Sequence, residues 1–331
     1  MQLSERCGDL VEELELGRRE DIISVEPLTG GVASDIAVVD LGHRKICAKF
    51  ALPKLKVAAD WHVPVHRNAA EYAWLTFAGS LRKESAVGLY GRPEAAHGFA
   101  MEYLDGADVY LWKDHLLRGM PNTGEAARVA DLLGLVHAAS ARAGFDSAPF
   151  KNRDDFHAIR IEPYLSFTRQ AHPALAEFIA PVEAQLYESS EVLVHGDASP
   201  KNILFRGRAP IVLDAECATM GDASFDPAFC LNHLVLKAIH LPASRAVLIA
   251  ELLAFWAAYE AHVDWEERGT LEARVCRLLP MLMLARVDGK SPVEYLSKAA
   301  RQQVRDIAIP LITSPETSLD GVVRHLSGKL L

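Results

Sequence analysis

The sequence predicts an α+β chain in two parts. A mostly antiparallel sheet with one helix is expected over residues 1–103, and a helical part over 104–331. Three observations lead there. Up to Tyr103, short apolar strands alternate with glycine-containing turns. From Asp105 onward the apolar spacing changes to the helical period. Near 191–214, two short hairpins interrupt the helices and carry a polar loop. The expected boundary is the extended segment Met101-Glu102-Tyr103-Leu104-Asp105-Gly106.

Taken in order, Leu3, Leu10, Val11 and Leu14 lie on one side of a helix over 3–16. A strand over 22–28 leads into the small-residue turn Thr29-Gly30-Gly31-Val32-Ala33-Ser34. Asp35 to Leu41 and Lys45 to Phe50 then form a hairpin through Gly42-His43-Arg44. A helix over 66–79 takes its apolar contacts from Ala70, Trp74, Leu75 and Phe77. Strands near 86–90 and 97–103 complete the sheet. In the second part, Asn122 or Thr123 caps a helix running to Ala143. A long helix is expected near 160–188. After the hairpins, helices are expected over 226–239, 243–262, 266–286 and 292–308.

With 331 residues, half of them hydrophobic and 24% charged, the chain can bury a sizeable core. The formal charge of −9, from 35 basic and 44 acidic residues, argues against nucleic acid or an anionic membrane as main partner. Five scattered cysteines without a C-x-x-C pair read as buried free thiols. The start, Met1-Gln2-Leu3-Ser4-Glu5-Arg6, opens an acidic amphipathic stretch rather than an apolar leader. The apolar run from Val247 to Ala258 is broken by Glu251 and too short to span a bilayer. A cytoplasmic protein is expected, with a homodimer left open.

The chemistry is concentrated in Val194-His195-Gly196-Asp197-Ala198-Ser199-Pro200-Lys201-Asn202-Ile203 and, beyond the strand Ile211-Val212-Leu213, in Asp214-Ala215-Glu216. A carboxylate that orients an acceptor hydroxyl, with an Asn and a second carboxylate holding Mg²⁺, suits phosphoryl transfer from a nucleotide. Asp197 is the expected catalytic residue, contacting the acceptor. Asn202, Asp214 and Glu216 are the expected metal ligands, and oxygen donors suit Mg²⁺. Lys49, in Ile46-Cys47-Ala48-Lys49-Phe50, is expected to bind the phosphates of ATP and pair with Glu71 of the next helix. The alternative is an edge lysine extending to water, with Lys45 as the competing phosphate lysine. Gly30 and Gly31 would allow close backbone approach to phosphate, although a plain hairpin gives the same pattern.

H-x-D-x4-N followed by D-x-E resembles the catalytic core of protein-kinase-like folds. Gly196 after His195, and Asp-Ala-Glu at 214–216, resemble the aminoglycoside phosphotransferase and choline kinase branch, whose members phosphorylate small molecules. Lys49, Ala51-Leu52-Pro53, Trp61, Pro64, Arg67 and Glu71 are closest in pattern to 5-methylthioribose kinases. Phe50 stands where those have Gln, and two extra residues separate Trp61 from Pro64. The resemblance implies a two-lobed fold, ATP and Mg²⁺ as cofactors, and a small-molecule hydroxyl acceptor, sugar-like by preference. It also implies a nucleotide flap over 52–65 and an adenine-binding hinge at Glu102 and Tyr103. His137 and Asp226 would have packing and bracing roles. Arg286 lies where methylthioribose kinases carry paired arginines, and is expected to contact the acceptor. An aminoglycoside- or choline-type acceptor, and a regulatory pseudokinase, remain as alternatives.

Overall fold

Alternation with a period of two decides which side of the first sheet each residue serves. The structure, a computed structural model, describes residues 2–28, 34–54, 64–120 and 122–331. The chain divides into two compact units, Met1–Val109 and Tyr110–Leu331. In the first, α1 (Leu3–Glu13) precedes β1 (Ser24–Pro27), β2 (Ser34–Asp40) and β3 (Lys45–Ala51). Then come α2 (Asn68–Leu81), β4 (Leu89–Gly91) and β5 (Gly98–Glu102). The strands form an antiparallel sheet ordered β1-β2-β3-β5-β4, so β3 is central. Ala37, Val39 and Leu41 join Ile46, Ala48 and Phe50 in one core with Cys7, Leu10 and Val11 of α1. Cys47 and Lys49, at the alternate positions, therefore point to the opposite face. A side chain at Gly98 would place its Cβ 2.3 Å from Phe50 Cδ1 and 2.8 Å from Lys49 O, so glycine is what lets β5 close on β3. The division falls after Val109 rather than after Tyr103. Beyond β5 the chain first turns at Gly106, whose carbonyl accepts from Val109 N at 3.2 Å.

The second unit is mainly helical. It takes up β6 (Val109–Leu111), α3 (Trp112–Leu117), α4 (Glu125–Ser140) and α5 (Arg153–Phe156). A π-helix over His157–Ser166 leads to α6 (Phe167–Ala171) and α7 (Ala176–Glu188). The expected helix over 160–188 is thus broken. Pro163 removes one N–H inside the π-helix, and Pro173 forces His172 out of the helical region, to φ −126, ψ 72. The helix expected to be capped by Asn122 or Thr123 instead has Gly124 at its N-cap, while Asn122 Oδ1 accepts from Gly124 N at 3.0 Å.

The polar loops follow. β7 (Val192–Val194) pairs with β10 (Thr219–Gly221), and β8 (Ile203–Arg206) forms a hairpin with β9 (Ala209–Val212). The remaining helices are α8 (Phe225–His240), α9 (Arg245–Glu260), α10 (Arg268–Asp288), α11 (Lys298–Thr313) and α12 (Leu319–Leu330). From Phe225 to Ile239 every residue of α8 is buried, and α9 and α10 pack against it. No single helix among the described residues is long and apolar enough to cross a membrane. The five cysteines are buried free thiols, and burial pushes that of Cys47 up to about 12.

Candidate active site

In the first unit, Lys49 lies across from Ile36 of β2 and Phe99 of β5. It is therefore a lysine of the central strand, 3% exposed, and not an edge residue. Its Nζ lies 2.7 Å from Glu71 Oε2 of α2, whose side chain is fully buried. Lys45, the competing lysine, sits half-exposed beside the turn, 3.9 Å from Asp40. Glu102 Oε2 accepts from Gly88 N at 3.0 Å, and Glu102 N donates to Gly88 O at 2.7 Å. Its side chain thus holds the approach to β4, and Tyr103 follows at the end of β5. Gly30 and Gly31, and residues 55–63 of the expected flap, lie outside the described residues.

In the second unit, the loop after β7 is fixed by its own backbone. Gly196 has φ +78, and a Cβ there would stand 3.0 Å from Cys217, so glycine is required. His195 N and Gly196 N donate to the two oxygens of Asp226, at 2.6 and 2.9 Å. His137 Nε2 reaches the same carboxylate at 3.2 Å, and its Nδ1 reaches Tyr259 Oη at 2.7 Å. Burial works to raise the Asp226 carboxyl, but the bonds from His137 and His195 hold it below the usual carboxylate range. The His195 ring accepts from Asp197 N at Nδ1 (3.1 Å), so its Nε2 donates to Leu213 O (3.1 Å). Burial keeps that imidazole neutral. His195 thereby ties the Asp197 loop to the start of the Asp214 segment.

Asp197 is buried, and its Oδ2 meets Arg160 Nη2 at 2.9 Å and the half-exposed Lys201 at 3.1 Å. Arg160 also donates to the carbonyls of Gly196 and Ile159. Burial acts to raise the Asp197 carboxyl, but Arg160 and Lys201 outweigh it and hold it below its usual range; Asp214 acts in the opposite sense. Asn202 Nδ2 donates to Asp197 O at 3.0 Å, which orients the amide oxygen, and Asn202 O accepts from Leu213 N at 2.8 Å. Asp214 takes the left-handed φ of +68 and is half-buried; Glu216 is 4% exposed. The second unit therefore brings Asp197, Asn202 and the Asp214 segment together through His195 and Asn202, and sets against Asp197 a cation, Arg160, which the sequence reading missed. Its π-helix has no motif, and an arginine in an ordinary helix pattern gives no signal.

Arg286 lies in the last turn of α10. Its Nη1 donates to Tyr164 Oη at 3.2 Å, Ser291 Oγ at 3.1 Å and Ser291 O. Val293 N donates to Arg286 O at 2.9 Å. The residue braces the turn after α10, a commitment fixed by the helix end it occupies.

Residues 24–274 match the phosphotransferase enzyme family, APH. The chain belongs to that family. No curated protein matches the sequence. Among solved structures, the amicoumacin kinase hAmiN, in complex with AMP-PNP, Ca²⁺ and Ami, is similar at a TM-score of 0.59 and 11% identity, covering 96% of this chain and 98% of that one. A choline kinase from Streptococcus pneumoniae is similar at 0.52 and 15%, over 94% and 99%. An aminoglycoside phosphotransferase from Alicyclobacillus acidocaldarius is similar at 0.52 and 14%, over 93% and 93%. The fold of this phosphotransferase is theirs: an antiparallel N-terminal sheet and a helical C-terminal part.

Proposed function

We propose that the chain transfers the γ-phosphoryl of ATP to a hydroxyl of a small molecule. The observation that carries this is the Asp197 carboxylate, held ionised by Arg160 and Lys201 beside a tethered Asn202. Oδ2 is occupied by the two cations, so Oδ1, with Ser199 Oγ at 3.5 Å, is the oxygen turned to the acceptor hydroxyl. As the new O–P bond forms and the bond to ADP breaks, the hydroxyl proton leaves to Asp197 or to the transferred phosphoryl. Lys201 offers a cation to the charge on that phosphoryl. Lys49, held by Glu71, positions the nucleotide phosphates.

Asn202 Oδ1, Asp214 and Glu216 are hard oxygen donors of the kind that suit Mg²⁺, and they would hold it. The ion, when bound, neutralises charge on the phosphates. The resemblance of residues 46–75 to methylthioribose kinases favours a sugar-like acceptor, while family membership fits a choline- or aminoglycoside-type acceptor equally. A regulatory pseudokinase is opposed by the joint presence of Lys49, Asp197, Asn202 and Asp214.

Asp197→Asn tests the reading. Transfer of the γ-phosphoryl should fall by several orders of magnitude, while a calorimetric titration with Mg-ATP stays near wild type. Wild-type turnover in that variant would remove Asp197 from the reaction.

A further inference from the structure

Two turns of α8 beyond Phe229 lies a buried lysine that the reaction above does not use. Lys237 is 2% exposed. Among the described residues its Nζ has one hydrogen-bond acceptor, the carbonyl of His233 in its own helix at 3.5 Å, and no carboxylate partner. It also lies 5.4 Å from the centre of the Tyr295 ring. An ammonium buried without an anion is costly, and proteins resolve that cost by neutralising the group or by supplying the anion. Burial, reinforced by Lys113, pushes Lys237 down to about 7. Beside it, the Tyr295 hydroxyl is buried without a hydrogen-bond partner. His233 is 6% exposed and is held neutral, first by burial and then by the cations Arg286, Lys237, Lys201 and Lys113. The carboxylate that acts on Lys237, Glu294, is already committed: it pairs with Lys113 at 2.8 Å.

This cluster is joined to the Asp197 loop by a run of rings. The Arg160 guanidinium, on Asp197, lies 6.0 Å from the Phe229 ring. Phe229 is 5.5 Å from both the His233 and Tyr164 rings, and Arg286 sits 5.7 Å from the latter. Helical side chains tilt toward the N-terminus, so the Lys237 ammonium returns to the level of His233, about one turn (~5.4 Å) from Phe229.

We infer that Lys237, Tyr295 and His233 form an acceptor subsite for an anionic group, so that the acceptor is a hydroxylated carboxylate or phosphate. This rests on the kinase reading above and narrows it. Choline and aminoglycosides are cations and would meet Lys237 and Arg286 with no spare carboxylate to offset the repulsion. A carboxylate or phosphate supplies the missing counter-charge, with the Tyr295 hydroxyl as a further donor.

The test compares probes matched in skeleton and different in charge, after calorimetry has shown that Mg-ATP binds. Glycerate, gluconate and ribose 5-phosphate are set against glycerol, ribose and methylthioribose, and against choline and kanamycin. ADP release and phosphorylated product are measured. The expected result is phosphorylation of at least one anionic probe with a KM at least tenfold below its neutral partner, and none of choline or kanamycin. Lys237→Met should raise the KM of that probe roughly ten- to a hundredfold and leave the KM for ATP unchanged. Its melting temperature should hold or rise, because a buried unpaired charge is removed. Lys237→Arg should recover part of the KM.

Several results would overturn the subsite while leaving the kinase reading intact. They are preference for a neutral or cationic probe, no transfer to any anionic probe, or an unchanged KM in Lys237→Met. Failure of Mg-ATP to bind would instead strike the kinase reading, and this inference with it.

Discussion

Removing one member of the Lys49–Glu71 pair takes from the other its buried counter-charge at 2.7 Å. Both side chains are all but sealed from water, so solvent cannot take over the lost partner. Such a truncation costs about 3–5 kcal/mol, whereas replacing both charges by uncharged groups of similar volume is often neutral. Lys49→Met should therefore destabilise the protein by that order. Lys49→Met with Glu71→Gln should recover most of the loss in urea unfolding. Phosphoryl transfer should stay low in both. A double variant with restored turnover would show that the pair is structural and that the phosphates are held elsewhere. The pair was legible because a lysine inside an apolar strand is conspicuous. Arg160 was not, since nothing in its sequence neighbourhood says that its guanidinium turns to Asp197. An apolar run before an arginine marks a helix end as readily as a ligand site, and the hydrogen bonds of Arg286 to Ser291 and Tyr164 belong to that helix end.

At the scale of elements, α8 holds the Asp197 loop by one residue. Asp226, in the first turn of the helix, takes the N–H groups of both His195 and Gly196. Its carboxyl is depressed in the folded protein, so it contributes stability above the unfolded aspartate value of about 3.9 and loses it as pH falls through the folded value. Asp226→Asn should cost about 1.5–3 kcal/mol at neutral pH. The gap from wild type should shrink as pH drops below about 4. Urea midpoints of both proteins across that range check this, and a gap independent of pH would mean that shape rather than charge holds the loop.

The strands and the polar hairpins could be read because alternation and the H-G-D-x4-N spacing are local signals. The break in the long helix near 160–188 was not read, although Pro163 and Pro173 stood in the sequence. Periodicity continued on both sides of them, and which proline ends a helix depends on packing. Helix α12 was missed altogether. Leu319, Val322, Leu326 and Leu330 are buried on one face, but two glycines, Gly321 and Gly328, weaken its local signal.

For the molecule as a whole, each of the two units has its own core: α1 on the sheet in one, α8 among α9 and α10 in the other. The proposed residues fall in both units, Lys49 and Glu71 in the first, Asp197, Asn202 and Asp214 in the second. A ligand that binds the folded protein alone raises its stability by RT ln(1 + [L]/Kd), about 2.7 kcal/mol at a hundredfold excess over Kd. This separates binding from chemistry without knowledge of the acceptor. With Mg²⁺ and a non-hydrolysable ATP analogue, wild type should unfold at a higher temperature. Asp197→Asn should show the same rise, since that residue is assigned to the acceptor. Asp214→Ala should lose most of it, because its carboxylate is assigned to the cation on the phosphates. The Lys49→Met, Glu71→Gln double variant should show a reduced rise, through weaker phosphate contact. The pattern across the variants is the informative quantity. An Asp197→Asn protein that no longer responds to nucleotide would move Asp197 into nucleotide binding. An Asp214→Ala protein that responds fully would remove Asp214 from the metal site and leave the cation to other ligands.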